Sequence, residues 1–183
     1  LELQHLSLVG FLVTSSQASL WIRDFRGFDM QETSHMADLK ELSQRSIAAW
    51  NAHDANALAA LDHTDVVFTA PSPTGRTELR GREAAKEYTQ SWFTAFPDAK
   101  TTIINEVIAG DYIVQECTFQ GTNAGTWKSE VGDMPATGKT LKGEYCLIAK
   151  VRDGLFVSSN LYFDQVQVLT QLGLMPAPAE VGV

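Results

Sequence analysis

Hydrophobic and polar positions change period along this chain, and the changes divide it into elements. From Asp38 the apolar residues Leu39, Leu42, Ile47 and Trp50 recur at three-to-four spacing, which predicts an amphipathic helix. Asp38, with Glu41 three positions on, reads as its N-cap, and Asn51-Ala-His-Asp as its end. A short helix over Ala55–Leu61 follows, capped by Asp54, and then a strand at Asp65–Ala70 and a loop at Pro71–Gly75. Glu83–Phe96 reads as a helix with Ala84, Tyr88, Ser91, Trp92 and Ala95 on one stripe, stopped by Pro97. Beyond it the period falls to two. Strands are predicted over Lys100–Ile108 and Tyr112–Gly121, then a polar loop at Thr122–Gly138, then Leu141–Val151 and Leu155–Val166. Arg152-Asp153-Gly154 between the last two marks a tight hairpin, because its centre needs positive φ. A short amphipathic helix over Gln165–Leu172 closes the pattern. Helices first and long antiparallel strands after them predict an α+β fold, with helices on one face of a curved sheet.

Strand alternation assigns faces. Leu155, Val157, Ser159, Leu161 and Phe163 share one face of the last strand, and Tyr145, Leu147, Ala149 and Val151 one face of the strand before. Ile113, Gln115, Cys117 and Phe119 share a face of the middle strand. These more apolar sets are the expected inner wall, and Glu116 and Glu144 fall on the other side. Such a wall suits an apolar or aromatic small molecule held by a few hydrogen bonds. Tyr145, Tyr88, Trp92, Gln115, Leu147, Leu161 and Phe163 are its candidate contacts.

Composition narrows the function classes. With 183 residues, 44% hydrophobic and 20% charged, the chain has the make-up of an ordinary globular domain. A net charge of −8 argues against nucleic acid, which needs clustered Lys and Arg. Cys117 and Cys146 lack C-x-x-C spacing and read as buried free thiols. His5, His35, His53 and His63 show no ligand spacing, so no metal site is expected. The apolar run at 6–13 is too short to span a bilayer, so no membrane is expected, and the chain is placed in the cytoplasm; the run lacks the basic flank of a secretory signal, and a clipped signal remnant and an apolar arm packed on a neighbour both stay open. Residues 1–35 are read as an extension, 36–175 as the domain and 176–183 as a tail.

Several short motifs then occur in order: W-N-A-H-D at Trp50–Asp54, G-R-E-A-A at Gly81–Ala85, F-P-D at Phe96–Asp98, G-T-N-A-G at Gly121–Gly125, M-P-A-T-G-K at Met134–Lys139, V-R-D-G at Val151–Gly154, and Y-F-D-Q…Q-L-G at Tyr162–Gly173. Together they resemble the SnoaL-like polyketide (ester) cyclase branch of the NTF2-like superfamily. The resemblance implies a cystatin-like cone: three N-terminal helices packed on a curved, mostly antiparallel sheet, with a pocket between them and a homodimer through the sheet's outer face. It also implies cofactor-free acid/base chemistry by an Asp on the last strand, helped by a His on the strand before. Counting between the Gly of Asp-Gly and the Gly of Gln-Leu-Gly puts that Asp at Leu161 and that His at Leu147. A further family His corresponds to Asn123, counted here among the substrate contacts, and a pocket Asn falls near Phe68. A leucine carries no proton, so the family's best-known mechanism does not transfer. Asp164 is the remaining candidate base if the strand end bulges inward; as a helix N-cap it would be structural. Two readings stay open: a cofactor-free cyclase, isomerase or lyase acting on a hydrophobic small molecule, and a non-catalytic ligand-binding or dimerisation module.

Overall fold

The computed structural model describes residues 15–72, 75–129 and 132–176, with the backbone alone for 15–31. The apolar run at 6–13 and the tail from 177 lie outside the described residues. The chain divides into two compact units, Leu1–His35 and Met36–Val183. Four helices and six strands are described: α1 (Ser15–Asn51), α2 (Ala55–Ala59), β1 (Asp62–Ser72), β2 (Gly75–Arg80), α3 (Arg82–Ala95), β3 (Lys100–Ala109), β4 (Tyr112–Thr122), β5 (Thr140–Arg152), β6 (Leu155–Phe163) and α4 (Gln165–Leu172). The expected three N-terminal helices are thus corrected to four helices, with α3 between strands and α4 at the C-terminal end.

The second unit holds one sheet in the order β2-β1-β6-β5-β4-β3. All pairs are antiparallel except β1 with β6, which run parallel. Register shifts interrupt β1/β6 between Asp62 and Val67, β3 between Ile103 and Asn105, and β5/β6 at Lys150/Val151. Extra residues of this kind bend a strand and raise its twist, in keeping with an open curved sheet. Asp153 (φ 54) and Gly154 (φ 73) form the expected β5–β6 turn, both in the left-handed region. Two apolar clusters fill the unit. Leu39 and Leu42 of α1 pack with Leu61, Ile113, Ala149, Val151 and Phe156; Trp92 and Phe96 pack with Phe119, Trp127, Leu141 and Leu172.

Four local expectations are corrected. Asp38 does not cap α1 but lies exposed within it, since the preceding Gln-Glu-Thr-Ser-His-Met-Ala contains no Pro or Gly to stop a helix. The expected loop at Pro71–Gly75 is largely strand, and β2 follows it. β2 is an edge strand whose charges (Arg76, Glu78, Arg80) hide it from any apolar pattern. At the start of β6 the bulge beside Val157 reverses the parity, so Phe156, 7% exposed, faces inward in place of its neighbours. Cys117 is a buried free thiol as expected, whereas Cys146, opposite Glu116, is only half-buried.

Candidate functional site

A half-enclosed cavity of about 160 Å3 lies between the inner face of the sheet, the end of α1, and helices α3 and α4. For scale, an apolar cavity of roughly 150 Å3 can hold benzene. Trp50 closes it from α1, Ala85, Tyr88, Thr89 and Trp92 from α3, and Val168 from α4. The wall from the sheet is Gln115 and Phe119 of β4, Leu141, Tyr145 and Leu147 of β5, and Ser159, Leu161 and Phe163 of β6. All of these but Leu141 are alternating residues assigned to the inner face from sequence. Asp62, Phe68 and Phe156 are also in the lining, with the Phe68 ring 5.1 Å from that of Tyr88, and the exposed Glu144 and Asp164 border it.

The W-N-A-H-D motif builds the adjoining corner. The Asn51 side chain donates to Thr101 O (2.9 Å) and accepts from Thr101 N (2.8 Å), pairing with β3 as a strand would. His53, held at φ 56, places Nε2 2.9 Å from Ala99 O, and Asp54 caps α2 through Ala57 N at 2.8 Å. The motif therefore fixes where Trp50 stands.

Most of the expected contacts reach the cavity, but their polar groups are not equally free. Tyr145 has its hydroxyl 2.8 Å from Thr101 Oγ1, which in turn donates its only proton to Thr118 O at 2.7 Å. The Tyr145 O–H must therefore donate to Thr101, and burial pushes its pKa well above the ordinary tyrosine value. Tyr88 is different: its hydroxyl has no acceptor among the described residues. Burial raises its pKa to about 12, the Trp92 indole beside it drawing the other way. The Trp92 and Trp50 Nε1 atoms are themselves buried without a closed hydrogen bond.

Asn123 does not line the cavity, a correction with a clear cause. Its Nδ2 donates to Ala95 O and Gly125 O, and its Oδ1 accepts from Thr137 N and Thr137 Oγ1, so the whole amide is spent joining the two ends of the β4–β5 loop to the end of α3. Asp164 touches the cavity rim but is exposed, and its Oδ1 accepts from Gln167 N at 3.0 Å as the N-cap of α4. Glu116 and Glu144 are exposed, and the Glu116 carboxylate accepts from Asn105 at 2.6 Å.

The carboxyl that the sequence reading passed over is Asp62. It lies on the cavity wall at the start of β1, and burial lifts its pKa from 3.8 to about 7, against the pull of the Arg82 guanidinium. Arg82 itself is fixed by donating Nε (2.9 Å) and Nη2 to the Asp62 carbonyl oxygen. One signal was present. Stepping back by twos from Ala70, Phe68 and Val66 reaches Asp62, but the strand was expected to start at Asp65, and the irregular pairing before Val67 breaks the count.

Across the cavity, Gln115 donates Nε2 to Ser43 Oγ at 2.8 Å. Ser43 donates to Glu106, whose other oxygen accepts a hydrogen bond from Lys40 Nζ. Burial of Glu106 raises its pKa, but the hydrogen bonds from Lys40 and Ser43 and the Lys40 charge outweigh that and hold it below the ordinary value. Among the described residues no three His, Cys, Asp or Glu side chains cluster as a metal site, and no helix is long and apolar enough to cross a membrane.

Comparison with known proteins follows the same outline. TsrD from Streptomyces laurentii is 26% identical, with a TM-score of 0.64 over 76% of this chain and 97% of its own. IdmH from Streptomyces antibioticus is 27% identical, with a TM-score of 0.60 over 73% and 97%. A protein with a ketosteroid isomerase-like fold from Catenulispora acidiphila DSM 44928 shares the fold at 21% identity, with a TM-score of 0.60 over 78% and 98%. None of the curated proteins matches. The family model for SnoaL-like polyketide cyclase matches residues 40–172, most of the chain and every wall of the cavity. The chain belongs to the SnoaL-like polyketide cyclase family.

Proposed function

We propose that this protein binds an apolar, ring-sized carbonyl compound and moves a proton on it without a cofactor, with Asp62 as the acid/base. The observation that carries the reading is a carboxyl with a pKa of about 7 on the wall of an apolar cavity. A general acid/base works best when its pKa lies near the working pH. As carboxylate, Asp62 takes a proton from the carbon next to the carbonyl. The C–H electrons become the C=C bond of an enolate and the carbonyl π pair moves to oxygen. Tyr88, protonated and without an acceptor, donates to that oxygen. Asp62, now the acid, returns the proton to carbon, or the enolate carbon attacks a second carbonyl to close a ring, that carbonyl's π pair moves to its oxygen, and the resulting alkoxide takes the proton from Asp62. Asp164 is then a cap with no part in the proton transfer.

The test needs no natural substrate. 2-Tetralone, a bicyclic ketone, exchanges the hydrogens next to its carbonyl for deuterium, and proton NMR in D2O follows the rate. The wild type should accelerate exchange, Asp62→Asn should lose about 10²-fold or more of that acceleration, and Asp164→Asn should keep it. Full activity in Asp62→Asn would remove Asp62 from the mechanism.

A second reading has its own observation. Leu147 and Leu161, which occupy the positions of the family's His and Asp, both line the cavity, as they would in a ligand carrier that has lost its acid. A wild type that binds 2-tetralone without exchanging its hydrogens would favour the carrier.

A further inference from the structure

The hydrogen-bond chain from exposed Lys40 inward to Gln115 does more than join α1 to the sheet. Ser43 is fully buried, Gln115 is 2% exposed, and the Glu106 side chain is 6% exposed. Hydrogen-bond bookkeeping then fixes each group. Glu106, ionised and held by Lys40, can only accept, so the single Ser43 proton goes to it. Ser43 Oγ is left as an acceptor, which only the NH2 side of Gln115 can satisfy. Glu106 and Gln115 are also direct cross-strand partners, so a flipped amide would set its carbonyl oxygen against a carboxylate. Flipping would lose one hydrogen bond and create one repulsion. The carbonyl oxygen Oε1 accepts from no described residue, and Gln115 lies on the cavity wall.

We infer that Gln115 is a specificity residue: its amide is locked with Nε2 toward Ser43, which turns Oε1 into the cavity as an acceptor for a hydroxyl group of the ligand. Glu106 and Lys40 are positioning residues that act through it. The ligand class sharpens to an apolar ring system bearing a phenol, enol or alcohol O–H on the side facing β4. A buried acceptor discriminates strongly, because a ligand without the donor leaves it unpaired. The inference rests on the reading of this cavity as a small-molecule site.

Two probes of nearly the same shape test it. 2-Naphthol carries an O–H, and 2-methoxynaphthalene replaces that proton with a methyl group. Fluorescence titration of the wild type should show 2-naphthol bound about tenfold more tightly. Gln115→Met should bring the two affinities within about twofold while still binding 2-methoxynaphthalene. Glu106→Gln leaves Gln115 in place and removes the charge that locks it, and should cut the preference about threefold. Circular dichroism melts check that both variants fold, and Glu106→Gln serves if Gln115→Met does not. A tenfold preference that survives both substitutions, or equal affinities in the wild type, overturns the inference and leaves the cavity reading intact. Failure of both probes to bind the wild type overturns the cavity reading, and this inference with it.

Discussion

Asp62 ionises near 3.8 in an unfolded chain and near 7 in the fold, and the gap has consequences beyond the cavity. Between those values the folded state holds the proton more firmly than the unfolded one. Stability therefore falls as pH rises from about 4 to about 7, and stays reduced above that. Asp62→Asn removes the cost, so at pH 8 it should stabilise the protein by about 1–3 kcal/mol, and at pH 4 by almost nothing. Urea denaturation at the two pH values measures this, and equal gains at both would contradict the raised pKa. In the exchange assay the wild-type rate should climb through about pH 7 as the carboxylate forms. Much of the site was legible at this scale. Gln115, Leu147, Leu161 and Phe163 were placed by alternation alone, because a strand sends every second side chain to the same face. Asn123 was misplaced, since a polar residue in a family motif gives no sign of whether its amide serves a ligand or a loop. Asp62 was passed over because its chemistry comes from being surrounded, which no neighbouring residue announces.

At the scale of elements, the short motifs are mostly joints. Gly125 lies so close to α3 that a Cβ would sit 2.0 Å from Thr94 O, while its own N–H donates to Ala95 O at 3.2 Å. Gly125→Ala should cost on the order of 3 kcal/mol, read as a fall in melting temperature, because backbone is what must move. The helix α4 begins at the Asp164 cap and ends at Gly173, whose φ of 72 suits the left-handed C-terminal turn. Asp164→Ala should cost about 1 kcal/mol of stability and leave 2-tetralone exchange unchanged. Exchange lost in step with stability-corrected Asp164 removal would return the catalytic role to that residue. These joints were visible as Gly, Pro, Asn and Asp at turn positions, and their partners were not. The Gly-rich stretch at Gly121–Gly125 marks a turn on sight, yet only the packed structure shows that α3 is what it packs against.

Across the folded unit, two carboxylates have depressed pKa values for different reasons. At Asp98 the Thr122 N–H donates to Oδ1 at 2.6 Å, and at Glu106 the Lys40 and Ser43 bonds outweigh burial. Stability from groups of this kind is fully present above the ordinary carboxylate range and is lost as pH falls through the folded values. Acid titration followed by circular dichroism should show unfolding below about pH 4. Glu106→Gln should unfold over a less steep range, since one linked proton is gone. An unchanged profile would mean that Glu106 is not coupled to folding. The sheet order lies at this scale too. β1 pairs in parallel with β6, almost the whole domain later in the chain, and such a pairing leaves no local mark.

By itself the sequence determined the element types, the hairpin turn, the inner face of the sheet and the family, because periodicity, turn chemistry and motif order are local properties of a chain. The tertiary structure alone decided which polar groups are free. Desolvation and hydrogen-bond competition depend on residues far apart in sequence: they took Asn123, Tyr145 and Asp164 into structural bonds and put Asp62, Tyr88 and Gln115 on the cavity wall.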